Sequence, residues 1–304
     1  MNPLSRVLLE PRLDLPLLEE VAQRLCTLDL SGDAGAEIDL SMFFSPRTES
    51  QVVRLREYLQ GRKAAGRDDR VDRWIRMVAT TRLTGHSLGF FSAYTLPPNE
   101  AATPAGQRRI NTARGQTPPD RDVAALILRK SMSLLRAVTE EERMTLAAAY
   151  QPQRLLCGDA SQTAALPDDS VALVVTSPPF LDLVQYEQDN WLRSWFNSLD
   201  AAEIGQRLTM SRSVGPWSEV MLRTLRELRR VLRPGGWVAF EVGEVRQGSV
   251  RLDEVIAPLG VRAGLECVGI LVHAQRFTKT SRCWGVANNA GRTNTNRVVL
   301  FRKA

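Results

Sequence analysis

The amino-acid sequence predicts an α/β fold, with a mostly parallel, doubly wound sheet and a largely helical N-terminal region. The first observation is the run Val171–Val175, in which apolar residues follow one another without polar alternation, as is typical of a strand buried on both faces. The second is the order of strand, helix and strand between Val171 and Val242. The third is the helical spacing of apolar residues before Met144.

Helices are predicted in the N-terminal region wherever apolar residues recur at helical spacing. The first of them has Pro16 in its first turn and Asp14 close to its start. The glycines of residues 31–35 predict a break, and residues 61–70 read as a basic, polar connection. The predicted helices are Pro16–Leu28, Gln51–Leu59, Asp72–Arg82 and Asp120–Met144.

The C-terminal half is predicted to alternate strands and helices. A short strand is expected over Arg154–Cys157 and ends at Gly158 and Asp159, so that the side chains of Asp159 and Ser177 share one rim of the sheet. Arg233-Pro234-Gly235-Gly236 is a stop signal for the helix before it. The other predicted elements are helices Tyr186–Phe196 and Trp217–Leu232 and strands Trp237–Val242, Leu265–Val272 and Val298–Phe301.

Composition bounds the class of protein without defining it. The chain has 304 residues, of which 43% are apolar and 24% charged, as in ordinary globular proteins. A net charge of +6 permits a polyanionic partner but does not require one. The cysteines, Cys26, Cys157, Cys267 and Cys283, are far apart, so neither a disulfide framework nor a metal site is expected. Without a signal peptide or a long apolar run, the sequence predicts a cytoplasmic protein that does not bind a membrane.

The stretch Ser177-Pro178-Pro179-Phe180 follows the Val171 strand directly. Two prolines can neither extend a strand ladder nor enter a helix, which predicts a stiff loop at the carboxyl end of the strand. Such a loop suits methyl transfer to an exocyclic amine of a nucleobase, because Ser177 Oγ and the Pro178 carbonyl can accept hydrogen bonds from the amine while Phe180 stacks on a base turned out of the duplex. A proline-rich turn or an extended peptide ligand is the alternative interpretation.

A second candidate region lies between Gly85 and Gln116. Gly85–Asn99 is glycine-hinged and aromatic, and Arg108, Arg109 and Arg114 follow it, so this region is a candidate for contacts with phosphates and base edges. A packed loop that covers the sheet is an equally good interpretation. His86 is given no role.

These motifs together resemble the S-adenosylmethionine-dependent DNA amino-methyltransferases. The Ser-Pro-Pro-aromatic form resembles the cytosine-N4 branch, since the adenine-N6 branch usually has Asp or Asn at the Ser177 position. The segments that carry the likeness are Gly158-Asp159, Thr176–Phe180, Arg233–Gly236 and Arg292–Arg297. Four further segments resemble one bacterial group of these enzymes: Gly85–Asn99, Phe240–Arg246, Phe277–Thr280 and Trp284–Val286.

The resemblance implies the C-terminal part of a Rossmann-like methyltransferase sheet, S-adenosylmethionine as cofactor and double-stranded DNA as partner. It implies that Asp159 accepts a hydrogen bond from the cofactor's adenine, that Thr176 also borders the cofactor, and that Ser177, Pro178, Pro179 and Phe180 hold the target base. The amine of the base would attack the sulfonium methyl in line and lose its proton afterwards, with alignment supplying most of the acceleration.

One departure from the family pattern concerns the cofactor. The family has a Phe-x-Gly-x-Gly loop after its first strand and a ribose-binding acid after its second. No such loop occurs in the 304 residues, and Gly32 and Gly35 do not follow a predicted strand. The chain opens Met1-Asn2-Pro3, similar to the residues that follow that acid in the family, so we expect two strands and most of the cofactor pocket to be missing. A second chain carrying the glycine loop is therefore an expected partner.

The predicted domain organisation follows from this comparison. Residues 1–35 would be a remnant helix of the cofactor-binding half, residues 36–150 a helical insert that is a candidate for DNA recognition, and residues 151–304 the catalytic α/β region. Asn197–Pro216 is a competing candidate for the recognition module. Three functions remain open: a DNA cytosine-N4 methyltransferase or its C-terminal portion, a non-catalytic DNA-binding subunit of a split methyltransferase, and an adenine-N6 or RNA amino-methyltransferase.

Overall fold

A computed structural model describes residues 2–95, 103–151, 154–179, 186–207, 213–245, 250–275 and 294–304. The chain forms two units. The first, here called the helical unit, consists of Met1–Cys157 and Tyr186–Ala202. The second, here called the sheet unit, consists of Gly158–Gln185 and Glu203–Ala304. Segments 1–35 and 36–150 thus belong to one and the same unit.

The helical unit contains only helices as regular structure within its described residues. A 3-10 helix, Glu10–Arg12, follows the first α-helix, and α9 (Ala201–Arg207) contains the boundary between the units. The α-helices are α1 (Pro3–Leu9), α2 (Leu18–Thr27), α3 (Pro46–Ala64), α4 (Arg70–Thr80), α5 (Pro104–Arg114), α6 (Val123–Leu135), α7 (Glu140–Ala149) and α8 (Tyr186–Phe196).

Capping explains where these helices depart from the predicted bounds. Ser45 caps α3 by accepting a hydrogen bond from Thr48 N at 3.3 Å, so α3 begins earlier than predicted. At its other end, α3 includes part of the connection expected at 61–70. The region 120–144 forms two helices because Thr139 starts α7 in a capping box with Glu142. Asp14 is not at the start of α2; it pairs with Arg73 at 2.7 Å.

The core of the helical unit is built on α4. Trp74 and Ile75 are buried there among apolar side chains of α2, α3 and α6. The fully buried Asp72 accepts hydrogen bonds from Arg62 Nε at 2.7 Å and from the Tyr58 hydroxyl at 3.2 Å. A buried carboxylate is costly without such partners, so these contacts fix α4 to α3.

The sheet unit is a mixed α/β structure, which confirms the predicted fold class. Its main sheet has the strand order β1-β2-β6-β5, and a two-stranded sheet pairs β3 with β4. The β1–β2 pairing is parallel, whereas β2–β6 and β5–β6 are antiparallel, so the sheet is less parallel than expected. The elements are β1 (Val171–Thr176), α10 (Val214–Val231), β2 (Leu232–Val242), β3 (Glu244–Val245), β4 (Val250–Arg251), α11 (Leu252–Arg262), β5 (Glu266–Gln275) and β6 (Asn294–Arg302).

The stop signal at 233–236 has a different role from the predicted one. Helix α10 does end, at Val231, but these residues belong to β2, where Gly235 has a φ of 75° and the pairing with β1 shifts register. A Cβ at Gly236 would lie 2.8 Å from the Arg233 carbonyl and 3.2 Å from that of Ala172. The glycines therefore permit the positive φ and the close backbone approach at this register shift within β2.

Two strand predictions are wrong. Arg154–Cys157 forms no strand, because no described segment pairs with it. Strand β1 is not buried on both faces: α10 and α11 cover the face that carries Val238 and Phe240, while Leu173 and Val175 on the other face are 57% and 73% exposed. Strand β1 is also an edge strand, because β2 is its one partner among the described strands. In the described part of the chain, no helix is long and apolar enough to span a bilayer.

Candidate active site

The Ser-Pro-Pro segment begins where β1 ends, next to the carboxyl end of the parallel strand β2. Thr176, the last residue of β1, pairs with Phe240. Ser177 is exposed, and within the described ranges neither its Oγ nor the Pro178 carbonyl makes a hydrogen bond. Two unengaged acceptors therefore follow the carboxyl end of a strand, where open α/β sheets bind ligands. The side chain of Phe180, the fourth predicted residue, lies outside the described residues.

Trp217 restrains this segment through a hydrogen bond. It is fully buried in the first turns of α10, and its indole Nε1 donates a hydrogen bond to the Pro179 carbonyl at 3.0 Å. A buried indole N–H needs such an acceptor, so the contact satisfies Trp217 and restrains the loop. Because the Pro179 carbonyl is engaged, it is the Pro178 carbonyl that remains for a ligand. The sequence offered one signal for this role, a tryptophan directly after Pro216 at the start of a helix.

Glu241 also lies near the carboxyl ends of β1 and β2, and it was assigned no role from the sequence. Continuing the β1–β2 register by one residue beyond Thr176 and Phe240 sets Glu241 beside Ser177. The Glu241 side chain is partly exposed and has no ion pair or hydrogen bond with the described residues. A carboxylate next to two free acceptors favours the binding of a group with several hydrogen-bond donors, such as an amine, at this end of the sheet.

Asp159 does not stand at the end of a strand. It is exposed, and its Oδ1 accepts hydrogen bonds from Ser161 N and Ser161 Oγ, both at 2.8 Å, in a turn. The expectation that two parallel strands finish at Asp159 and Ser177 is wrong, and no hydrogen bond joins these residues in the described structure. Asp159 Oδ2 has no partner among the described residues.

Parts of several motifs used for the resemblance also lie outside the described residues. They are Leu96–Asn99, Arg246, Phe277–Thr280, Trp284–Val286 and Arg292-Thr293.

The three arginines of α5 are all exposed on the helical unit. Arg108 forms an ion pair with Asp39, and the guanidinium of Arg114 lies 3.9 Å from the centroid of the Tyr94 ring. Arg109 makes no contact with a carboxylate of the described residues. One of the three charges is therefore already neutralised within the protein.

A charged network ties residues 163–168 to α10 in the sheet unit. Glu227 accepts hydrogen bonds from Arg230 Nε at 2.8 Å and from Thr163 N at 2.7 Å, and Arg230 also pairs with Asp168. The Arg230 guanidinium, followed by the Thr163 contacts, lowers the pKa of Glu227 from its ordinary 4.5 to about 2, against the opposing effect of burial. The ionised carboxylate is therefore the form that stabilises this loop.

Because the folded-state pKa is lower than the unfolded one, the stabilisation is present above pH 4.5 and is lost as the pH falls toward 2. We expect Glu227→Gln to lower the free energy of unfolding by about 1–2 kcal/mol near neutral pH and by much less below about pH 3. Urea unfolding of both proteins at several pH values measures the difference. Glu219→Gln, at an exposed position of the same helix, is the control, and an equal loss at every pH would contradict the role of ionised Glu227.

Comparison with known proteins identifies no family. No family model and no curated protein matches the chain. A solved structure of a candidate DNA modification methylase from Thermus thermophilus is 22% identical, with a TM-score of 0.29 over 48% of this chain and 50% of that one. The chain thus matches about half the length of that protein. A structure of the same protein in complex with S-adenosyl-L-methionine matches this chain with a TM-score of 0.28. A methyltransferase from Methanosarcina mazei is 13% identical, with a TM-score of 0.27 over 54% of this chain and 78% of that one. Similarities of this size do not assign the chain to a family.

Proposed function

We propose that the chain is a DNA cytosine-N4 methyltransferase, or its C-terminal portion, which acts on the exocyclic amine of a cytosine turned out of the duplex. The observation that carries the proposal is the pair of free acceptors, Ser177 Oγ and the Pro178 carbonyl, on a loop that Trp217 restrains at 3.0 Å. The amine of cytosine is a poor nucleophile because its lone pair is delocalised into the ring. Two acceptors that bind its hydrogens favour the pyramidal form, in which the lone pair is available.

S-adenosylmethionine would supply the methyl group, and the chain's own residues fit only one end of it. Asp159 Oδ2 has no partner among the described residues and could accept a hydrogen bond from an adenine amine. The glycine loop and the ribose-binding acid that the family uses are absent from the 304 residues. The roles of this chain are therefore to bind the target base, orient its amine and accept the amine's hydrogen bonds.

A split enzyme is the second candidate, and strand β1 favours it. This edge strand exposes Leu173 and Val175, and such an edge and apolar face are suited to pairing with another polypeptide. A second chain with the glycine loop would then complete the cofactor site. In this arrangement the present chain is the DNA-binding and base-holding subunit.

Modified bases in the cells that carry this gene test the proposal. We expect 4-methylcytosine in their genomic DNA, measured by mass spectrometry of nucleosides, and its loss on deletion of the gene. Reintroducing the gene is the control, and it should restore the modified base. A gene-dependent signal from 6-methyladenine alone would replace the cytosine assignment with the adenine one, and a signal confined to RNA would remove DNA as the substrate.

The arginines of α5 are proposed contacts to the DNA backbone. Replacing Arg108, Arg109 and Arg114 together by glutamine should weaken duplex binding and flatten the dependence of log K on log salt by about one unit per lost phosphate contact. The pairing of Arg108 with Asp39 reduces the expected change to about two units in all. Fluorescence anisotropy at several salt concentrations measures the slope. An unchanged slope would return these arginines to an ordinary solvated surface.

A further inference from the structure

A group of cations in the helical unit has no acidic partner in the part of the chain that the structure describes. Helix α4 packs against both α6 and the 3-10 helix, so that Arg82, just after α4, and Arg12, in the 3-10 helix, are charged neighbours of Lys130 on α6. Burial, followed by repulsion from these two arginines, lowers the pKa of the Lys130 ammonium. None of the three forms an ion pair with a carboxylate of the described residues. The charges of three separate elements therefore meet without neutralisation.

The orientation of Arg82 is fixed by its surroundings. Its guanidinium lies 4.2 Å from the centroid of the buried Phe90 ring, and its Nε donates to the Thr81 carbonyl at 2.9 Å. The backbone of Phe91 donates to the Arg82 carbonyl at 2.9 Å. The Phe90 ring packs on Gly85 so closely that a Cβ there would lie 2.5 Å from ring atoms. Arg82 is thus held in place while its terminal nitrogens remain available, and desolvation lowers its pKa without removing the charge.

Arg129 extends the group. It is exposed on α6 next to Lys130, and its Nη2 donates to the Leu88 carbonyl at 3.1 Å, in the same glycine-hinged loop that contains Phe90. We call Arg12, Arg82, Arg129 and Lys130 the basic group.

Arg67 and Arg109 of this unit also lack a carboxylate partner among the described residues, so the basic group differs from an ordinary solvated surface by the convergence of its charges. Other arginines of this unit pair with carboxylates, as Arg24 does with Asp69 at 2.7 Å and Arg73 with Asp14 at 2.7 Å. Further pairs of the same kind are Arg56 with Glu37, Arg62 with Asp72, Arg70 with Glu20 and Arg108 with Asp39. Like charges brought together without an acid destabilise the protein unless an anion binds between them.

We propose that the basic group binds the phosphodiester backbone of duplex DNA, an inference that rests on the proposed function for its choice of ligand. The cations come from three parts of the chain, and two of the side chains, Arg12 and Arg129, are exposed. Such an arrangement suits the successive phosphates of a polymer better than one enclosed anion. The arginines supply planar, two-pronged donors and the lysine a point charge. This surface is separate in sequence from the α5 arginines and needs none of them.

The test compares two double variants that remove the same charge. Arg129→Gln with Lys130→Gln removes half of the basic group, and Lys63→Gln with Arg67→Gln removes two exposed cations of the same unit as the control. The whole chain is titrated into an unmethylated DNA duplex at several salt concentrations, and thermal unfolding checks that both variants fold. We expect the first variant to flatten the salt slope by about two units and to weaken binding roughly 10- to 60-fold at 0.1 M salt. The control should change the slope by less than half a unit, and the charge-retaining variant Arg129→Lys with Lys130→Arg should bind like the wild type.

The outcomes separate this site from the proposed function. A changed slope supports the site even if no 4-methylcytosine is ever found, in which case the methyltransferase proposal alone fails. Equal slopes for the two glutamine variants overturn the site, whatever the methylation result. Failure of the wild-type chain to bind the duplex, or preference for a structured RNA over it, overturns duplex DNA as the ligand.

Discussion

Ser177→Ala is expected to lower the initial rate of methyl transfer about 100-fold, since it removes one of the two acceptors proposed to act on the amine as its charge develops. Duplex affinity should stay within a few fold of the wild type, because phosphate contacts dominate affinity and the loop is proposed to contact only the extruded base. Phe180→Ala is expected to act in the same way by removing the surface on which the base stacks.

Extracts of cells that lack the native gene and carry the wild-type or variant gene supply the enzyme together with any partner it requires. Incorporation of labelled methyl into an unmethylated duplex measures the rate, and anisotropy of the purified chain measures affinity. Ser133→Ala, at an exposed position of α6, is the matched control and should change neither. Equal losses of binding and rate in Ser177→Ala would remove this loop from the catalytic site.

The isolated 304-residue chain is expected neither to bind S-adenosylmethionine with micromolar affinity nor to methylate DNA. In the proposed site Asp159 would accept a hydrogen bond from the adenine, but the ribose and the charged methionine end would have no partners. Each missing hydrogen bond to a charged or buried group costs about 1.5–3 kcal/mol, and each 1.4 kcal/mol is about a factor of ten in affinity. Several such losses raise the dissociation constant by orders of magnitude.

Calorimetric titration of the purified chain with S-adenosylmethionine is the direct measurement. Circular dichroism of the same sample shows that it is folded, and binding to a DNA duplex shows that it is competent. A micromolar dissociation constant would prove the expectation wrong and would mean that the 304 residues build the cofactor site by themselves. Recovery of binding on addition of a polypeptide with the glycine loop would favour the split enzyme.

Much of the sheet unit could be predicted from local sequence. The run Val171–Val175 and the stop at Pro178 define β1, and the periodicity from Trp217 together with Arg233–Gly236 indicates the end of α10. These features follow from short-range chemistry: side-chain alternation, the missing N–H of proline and the freedom of glycine act over a few residues. Strand β2, predicted to begin at Trp237, begins at Leu232. Six helices were predicted, with errors at the ends where capping side chains decide, whereas α1, α5, α9 and α11 were not predicted and the region 120–144 forms two helices.

By itself, then, the sequence determined the class of fold, the position of the Ser-Pro-Pro loop and its two acceptors. Tertiary structure alone decided that Arg154–Cys157 has no partner among the described strands, that one face of β1 is exposed, and that Trp217 restrains the loop through the Pro179 carbonyl. It also brought Arg82 and Lys130 together. Each of these depends on residues far apart in the chain, and no local propensity or spacing encodes which distant segments will pair, cover a face or share a charge.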